Sequence, residues 1–436
     1  MATTATTPTT RTTRKCPWCG STVRLAYAPI VATNLQGVRG DGTRAVSGLA
    51  GGEFGFDDDF AIGGETPGAA VPEAADPTKP AVLEAPPALP LSGAEVLGRA
   101  GDLPIVAPPQ VAPGSDTGFF ARRITRRLIP VAARADARDL PARACTTCHH
   151  PMPFDSDECE VLVIAVLGIN RAGKTYLLAT ALSEALQNGA LEVAGITGFR
   201  ADEGTGNRVH RDYYLPVFRR RNRLDPTLDP AEGDAVEPLV FRFEVDGQSY
   251  LLALHDLAGE AIAEPRRRAV VAPFVRHADA ILFVVDPLEI ESVRTALPFE
   301  QITVDWRGWS QLDVLQGVIQ ALGEAAASTP VSVVLTKSDL IGLADGRRHL
   351  FDEPATGDWL EDQFAVDQEV RALLAEWGVP QFAHAVDRAD RGFFHAVSAF
   401  GAAPTNPSAP GVVRPLRVTD PFGTLIRLLS EARSRP

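Results

Sequence analysis

No long apolar run occurs in this sequence. The longest, around residues 161–167 and 280–285, fall far short of the roughly 20 residues a bilayer-spanning helix needs, so no membrane span is expected. The opening residues, Met1-Ala2-Thr3-Thr4, lead into no apolar segment, so no secretory leader is read and a cytoplasmic compartment is expected. Cysteine is scarce, with 5 residues, four of them in two Cys-x-x-Cys pairs. Without an export signal that pattern favours metal over disulfides. Positive charge is also in deficit: 42 Lys and Arg face 55 Asp and Glu, a net charge of −13. Such a chain gains little from phosphate backbones, which argues against non-specific nucleic-acid binding.

Glycine and proline are plentiful but unevenly spread. Residues 40–118 are dominated by Ala, Pro and Gly, with an acidic patch at Asp57, Asp58 and Asp59. This composition buries too little apolar area to offset ordering entropy, so a disordered insertion is expected there. The Thr-rich residues 1–14 are expected to be a disordered tail. The flanking stretches 15–39 and 119–159 read as two halves of a zinc ribbon. Its ligands would be Cys16, Cys19, Cys145 and Cys148, with His149, His150 or Cys159 as substitutes. Pro17 and Gly20 suit a tight knuckle, and loop closure costs grow only logarithmically with the length of the insertion. The arginines from Arg122 to Arg143 read as a solvated face or as a dock for an anionic partner.

From residue 160 the texture changes. Strand-like runs at about 161–167, 239–245, 249–255, 279–285, 330–336 and 392–398 alternate with helical patterns. Those helices are expected at about 174–187, 261–277, 310–326, 362–377 and 421–433. The alternation predicts an α/β domain over 160–436 with a largely parallel sheet between helices.

The run Val161 to Leu167 enters Gly168-Ile169-Asn170-Arg171-Ala172-Gly173-Lys174-Thr175, which fills every fixed position of G-x-x-x-x-G-K-[ST]. Backbone N–H groups of such a loop and of the following helix N-terminus point at phosphate oxygens. Lys174 would reach the β- and γ-phosphates and the Thr175 hydroxyl would ligate Mg²⁺. Asn170, Arg171, Ala172, Gly173 and Tyr176 complete the expected phosphate contacts around Gly168. This loop alone does not separate ATP from GTP.

Downstream residues favour guanine. The Asp246-Gly247 hairpin signal separates two strands, the second ending in His255-Asp256-Leu257-Ala258-Gly259-Glu260. Asp256 would hold Mg²⁺ and Gly259 would give its N–H to the γ-phosphate, a bond that exists only before hydrolysis. Thr336-Lys337-Ser338-Asp339 follows another buried strand. Asp339 can accept from the ring N–H and exocyclic amine of guanine together, Lys337 can lie over the base, and Thr336 can brace the loop. Ser398-Ala399 then fits a loop whose backbone reads the guanine carbonyl.

On these motifs, residues 160–433 resemble a Ras-like P-loop GTPase of the TRAFAC clade, and more closely the bacterial double-GTPase type. The resemblance implies a three-layer P-loop NTPase sandwich that binds GTP/GDP with Mg²⁺ and switches with nucleotide state. It also implies a first-switch Thr on Mg²⁺. Thr227 is the first choice, Thr205 and Thr197 are rivals, and Arg219, Arg220, Arg221 or Arg223 stand nearby for an arginine finger. Glu260 stands where many relatives carry a water-orienting Gln, and Asn170 and Arg171 where many carry Gly. Slow hydrolysis that needs a protein partner is therefore expected, with Lys174, Thr227, Gly259 and Glu260 as the catalytic set. Alternatives are a GTP-loaded scaffold with little turnover and a P-loop ATPase.

Overall fold

The computed structural model describes residues 13–18, 21–24, 30–31, 142–143, 145, 152, 159–220, 237–297, 310–355, 357–389, 391–401 and 413–434. Thr227, Cys19, Cys148, His149, His150 and the 40–118 insertion lie outside them.

Two short antiparallel pairs come first: β1 (Thr13–Lys15) with β2 (Thr22–Arg24), and β3 (Ile30–Val31) with β4 (Ala142–Arg143). The second pair joins the stretches on either side of the long insertion. Then follow β5 (Glu160–Gly168), α1 (Lys174–Gln187), β6 (Ile196–Ala201) and α2 (Glu203–Arg208). Helix α2 runs on as a wider helix over Val209–Arg219, its end marked by an i→i+5 bond from Arg220 N to Leu215 O at 2.8 Å. Next come β7 (Leu239–Val245), β8 (Gln248–Asp256), α3 (Glu260–Ala263), α4 (Pro265–His277), β9 (Ala280–Val285) and α5 (Glu291–Ala296). The chain continues with α6 (Gln311–Leu322), β10 (Val331–Leu335), α7 (Ile341–Asp345), α8 (Trp359–Glu376), α9 (Gln381–Val386), β11 (Gly392–Ala396) and α10 (Asp420–Ser434).

Seven strands form one sheet in the order β11-β10-β9-β5-β8-β7-β6. The first five run parallel, and β7 and β6 are antiparallel additions at one edge. Asp246 and Gly247 both take positive φ (50° and 76°) in the β7–β8 hairpin, which suits this dipeptide. Strand β5 lies in the middle and is buried on both faces, as its unbroken apolar run requires. Leu162, Ile164 and Val166 join the main core, whereas Val161 and Val163 cluster with Val240, Leu251, Ala253 and Cys159. Each of the Val, Leu and Ile side chains contributes about 1.5–3 kcal/mol when fully buried. Helices α1 and α10 pack over Leu252 and Leu254, while α3, α4 and α6 pack on one another. This is the expected three-layer α/β sandwich.

Several elements differ from the sequence reading. The helix expected over 261–277 is two, broken at Glu264, whose extended backbone precedes Pro265. The helix expected over 310–326 stops at Leu322 because Gly323 turns to φ 59°, and a tighter turn follows. Helix α8 starts at Trp359, before the expected 362, because the Asp358 side chain caps Leu360 and Glu361. Strand β6, helix α2 and its wide extension have no counterpart in the sequence reading. Among the described residues no helix is long and apolar enough to cross a membrane.

Candidate nucleotide site

The parallel strands deliver their loops to one end of the sheet, which is where open α/β sheets place their ligands. Beyond β5 the loop closes on itself through Ala172 N to Ile169 O at 3.2 Å. Arg171 and Gly173 take the left-handed region, with φ 68° and 88°. A side chain at Gly173 would also crowd Thr336 Oγ1 at 3.2 Å. Lys174 and Thr175 open α1 directly after this turn.

Lys174 is buried at 5 % exposure, and its ammonium is held by the protein. Its Nζ donates to Leu257 O at 2.7 Å and lies 3.0 Å from Asp256 Oδ1 at the end of β8. The box after β8 is zipped to the loop. Leu257 N donates to Val166 O at 3.0 Å and Gly259 N to Gly168 O at 3.1 Å. The Asn170 N–H donates to the Glu260 carboxylate. The Gly259 amide, expected on a γ-phosphate, here faces the loop carbonyl instead. Only Gly fits, since a Cβ there would lie 2.6 Å from Gly168 O. Asp256, Gly168, Lys174, Gly259 and Glu260 are thus brought together.

The guanine motif lies alongside. Thr336 is buried and donates from Oγ1 to Ala172 O at 2.6 Å, bracing the phosphate loop. Lys337 has φ 55°, and its ammonium pairs with Asp286, which follows β9, and reaches Arg171 O at 3.5 Å. Asp339 accepts from Ser398 Oγ at 2.5 Å, and that hydroxyl in turn accepts from Gly401 N at 2.7 Å. Ser338 N donates to Val397 O at 3.1 Å, tying the segment Thr336–Asp339 to the one that carries Ser398. Ala399 lies beside them, and the Tyr176 and Phe400 rings stand 5.1 Å apart.

The first-switch expectations fare differently. Thr227 is outside the described residues. Thr205 is buried and its hydroxyl accepts from Val240 N at 2.9 Å, at the start of β7. Thr197 is exposed on β6, opposite Glu244. Arg219 and Arg220 are exposed at the end of the wide helix.

Three residues joined the site without a sequence signal. Asp286 binds Lys337 as described. Burial pushes the Glu289 carboxyl up to about 7, and the charge of nearby Asp286 adds to this. Tyr213, on the wide helix packed over α1, is held protonated well above the usual phenol range, first by burial and then by the negative charge of Asp256.

The N-terminal cysteines are partly described. Cys16 and Cys145 are fully buried in one cluster with Val23 and Met152, and Trp18 packs against it. Among the described residues no three His, Cys, Asp or Glu side chains gather as a metal site.

Comparison with known proteins bears on the stretch that contains the loop. Residues 162–375 match the family model Double-GTPase 2. A protein of Mycolicibacterium smegmatis, SaeC, described as a putative ESX-1 scaffolding and assembly protein, is 26 % identical over 220 residues. That match covers 49 % of this chain and 55 % of the relative, so the chain spans about half the length of the curated protein it matches. The solved structure of the Arl6 BBS3 small GTPase from Trypanosoma brucei, with the nucleotide analogue GppNp bound, is similar at 12 % identity. It covers 62 % of this chain and 98 % of that one at a TM-score of 0.29, too slight to add weight. With the phosphate loop, the sheet order and the family match in agreement, residues 162–375 constitute a P-loop domain of the double-GTPase type.

Proposed function

We propose that this protein binds GTP with Mg²⁺ and hydrolyses it slowly to GDP and phosphate, as a nucleotide-controlled switch. The observation that carries this reading is the convergence of Lys174, Asp256, Gly259 and Thr336 on one loop, although they come from separated segments, with Asp339 three residues beyond Thr336.

In this reading the amides from Asn170 to Thr175 and the Lys174 ammonium hold the phosphates. Thr175 and Asp256 offer a hydroxyl and a carboxylate at the foot of the loop, an all-oxygen set that suits Mg²⁺. Bound there, the ion would neutralise charge developing between the β- and γ-phosphates. Asp339, oriented by the Ser398 hydroxyl, accepts from the guanine edge, and Lys337 leaves Asp286 to lie along the base. The Gly259 amide turns from Gly168 O to the γ-phosphate, and Glu260 leaves the Asn170 amide. Those two exchanges are the switch. Thr227 remains the proposed first-switch ligand.

A second reading is a GTP-loaded scaffold with little turnover. It is favoured by Glu260, an anion where a water-orienting amide would serve hydrolysis better, and by the scaffolding role described for SaeC. Single-turnover phosphate release from the full chain separates the two. Release above the buffer background within an hour supports the enzyme, and none over many hours supports the scaffold. Titration calorimetry with a non-hydrolysable GTP analogue in magnesium buffer tests both, since no heat of association would end the guanine reading. Preference for ATP over GTP at equal concentration would make it an ATPase.

The zinc ribbon also stays a proposal. Its support is that β3–β4 pairing closes the insertion and that Cys16 and Cys145 share one buried cluster. The thiolate set Cys16, Cys19, Cys145 and Cys148 suits a closed structural site. Metal analysis of purified protein should give about one zinc per chain under that reading.

A further inference from the structure

The Lys15–Trp18 turn of the N-terminal segment is fastened to the nucleotide domain at two points. At one, Lys15 Nζ lies 2.8 Å from Asp279 Oδ1, which also receives Arg433 Nη2 at 2.8 Å. The other oxygen of Asp279 accepts from Val163 N of β5 at 2.8 Å. This clamp joins the N-terminus, the last helix and the strand that leads to the phosphate loop.

At the other point, His255 Nε2 lies 2.8 Å from the carbonyl oxygen of Pro17. A carbonyl only accepts, so Nε2 carries the hydrogen and donates it. Both groups are buried, and the Phe274 ring of α4 stands 5.4 Å from the imidazole. A hydrogen bond removed from water is costly to lose.

His255 is the residue before Asp256. Side chains alternate across a strand, so adjacent residues face opposite sides of the sheet. Asp256 reaches Lys174 at the phosphate loop, whereas His255 reaches Pro17 on the face that carries Leu251 and Ala253. One peptide unit links the two. A rotation of that unit that re-aims the carboxylate also re-aims the imidazole.

We propose that His255 is a positioning residue that couples Asp256 to the Cys16–Trp18 turn, so that this turn reports, and in return biases, the nucleotide state. The coupling rests on the nucleotide reading of Asp256 given above. When phosphate draws Lys174 away, the Asp256 carboxylate shifts and His255 shifts with it. The Pro17 bond lengthens, and the turn closed by Cys16 N to Ser21 O at 2.8 Å loosens. By linkage, a loosened turn must change affinity for the triphosphate by the same factor. The N-terminal segment is then an internal partner of the switch and not a detached docking module.

Hydrogen exchange of the full chain tests this, comparing peptides across 13–24 without nucleotide, with GDP and with a non-hydrolysable GTP analogue. A fluorescent analogue in the same samples reports binding. Exchange in these peptides should differ about fivefold or more between the nucleotide-free and triphosphate forms, the lower end of typical couplings. His255→Leu should erase the difference, and His255→Gln, whose amide can still donate to Pro17, should keep most of it. Lys15→Ala, remote from the phosphates, should shift triphosphate affinity by the factor by which it loosens the turn. Binding with unchanged exchange in the wild type would overturn the coupling and leave the nucleotide site intact. Loss of the difference in the Gln and Leu variants alike would show that the imidazole merely fills space, overturning its donor role. Absence of binding would remove the nucleotide reading and the coupling with it.

Discussion

The two ends of the proposed nucleotide groove are built on different principles. At the phosphate end the binding groups are already answered by carboxylates: Lys174 by Asp256 and the Asn170 amide by Glu260. Lys337, which bridges the two ends, is answered by Asp286. At the guanine end Asp339 meets a hydroxyl, Ser398, which points its carboxylate without neutralising it. A triphosphate must exchange partners at one end and finds them waiting at the other. Under the proposed function, affinity for phosphate would be reduced by the cost of opening, while base selection would be pre-organised.

The sharpest way to break this comparison is at Lys174. Lys174→Ala should weaken binding of a fluorescent GTP analogue about 100-fold or more, because it removes a buried charge from the phosphates and strands Asp256. It should also lower the melting temperature of the nucleotide-free chain. A loss below about threefold would mean that the phosphates do not sit there. Next comes the guanine end, where Asp339→Asn should cost about 10–100-fold in affinity for guanine nucleotides, as expected for bonds to a charged acceptor. The same variant should prefer xanthine nucleotides in competition titrations. Unchanged guanine preference would remove Asp339 from base recognition.

Smaller effects test the self-answered phosphate end. Glu260→Gln replaces a charge-assisted bond to Asn170 with a neutral one, so opening should cost less. Triphosphate affinity should rise about fivefold, matching the difference between charged and neutral hydrogen bonds. Weaker binding in this variant would show that Glu260 aids the nucleotide. The smallest effect concerns Glu289, whose carboxyl is raised from 4.5 to about 7 by burial and then by Asp286. The folded chain holds that proton more tightly than the unfolded chain, so stability falls as pH rises from about 4.5 to about 7. Glu289→Gln should flatten this part of the curve of melting temperature against pH. Parallel curves for the two proteins would contradict the raised carboxyl.

The legible parts of the fold were those with a local cause. The run Val161 to Leu167 had the length and apolar continuity of a buried strand. Helix α1 begins and ends where its pattern placed it, and the Asp246-Gly247 hairpin followed from its turn chemistry. Strand β6 and the helix over 203–219 were not legible. Residues such as Gly198, Gly204 and Gly206 weaken any local preference there, and the strand exists because β7 offers it an edge. The single helix expected over 261–277 was missed as two, because Glu264 takes the extended backbone that Pro265 favours in its neighbour.

The site divides along the same line. The amino-acid order alone pointed to a phosphate loop, an acidic residue ending a strand and an Asp proposed to read guanine, because each depends on a few adjacent residues whose backbone geometry is local. Tertiary structure alone decided that Lys174 rests on Asp256, that Ser398 aims Asp339, that Asp286 holds Lys337 and that Pro17 caps His255. These partners are far apart in the chain and share no period or spacing. For the first three pairs the seven-stranded sheet, by stacking strand ends side by side, brings them within hydrogen-bond reach, whereas Pro17 arrives from the separate N-terminal turn.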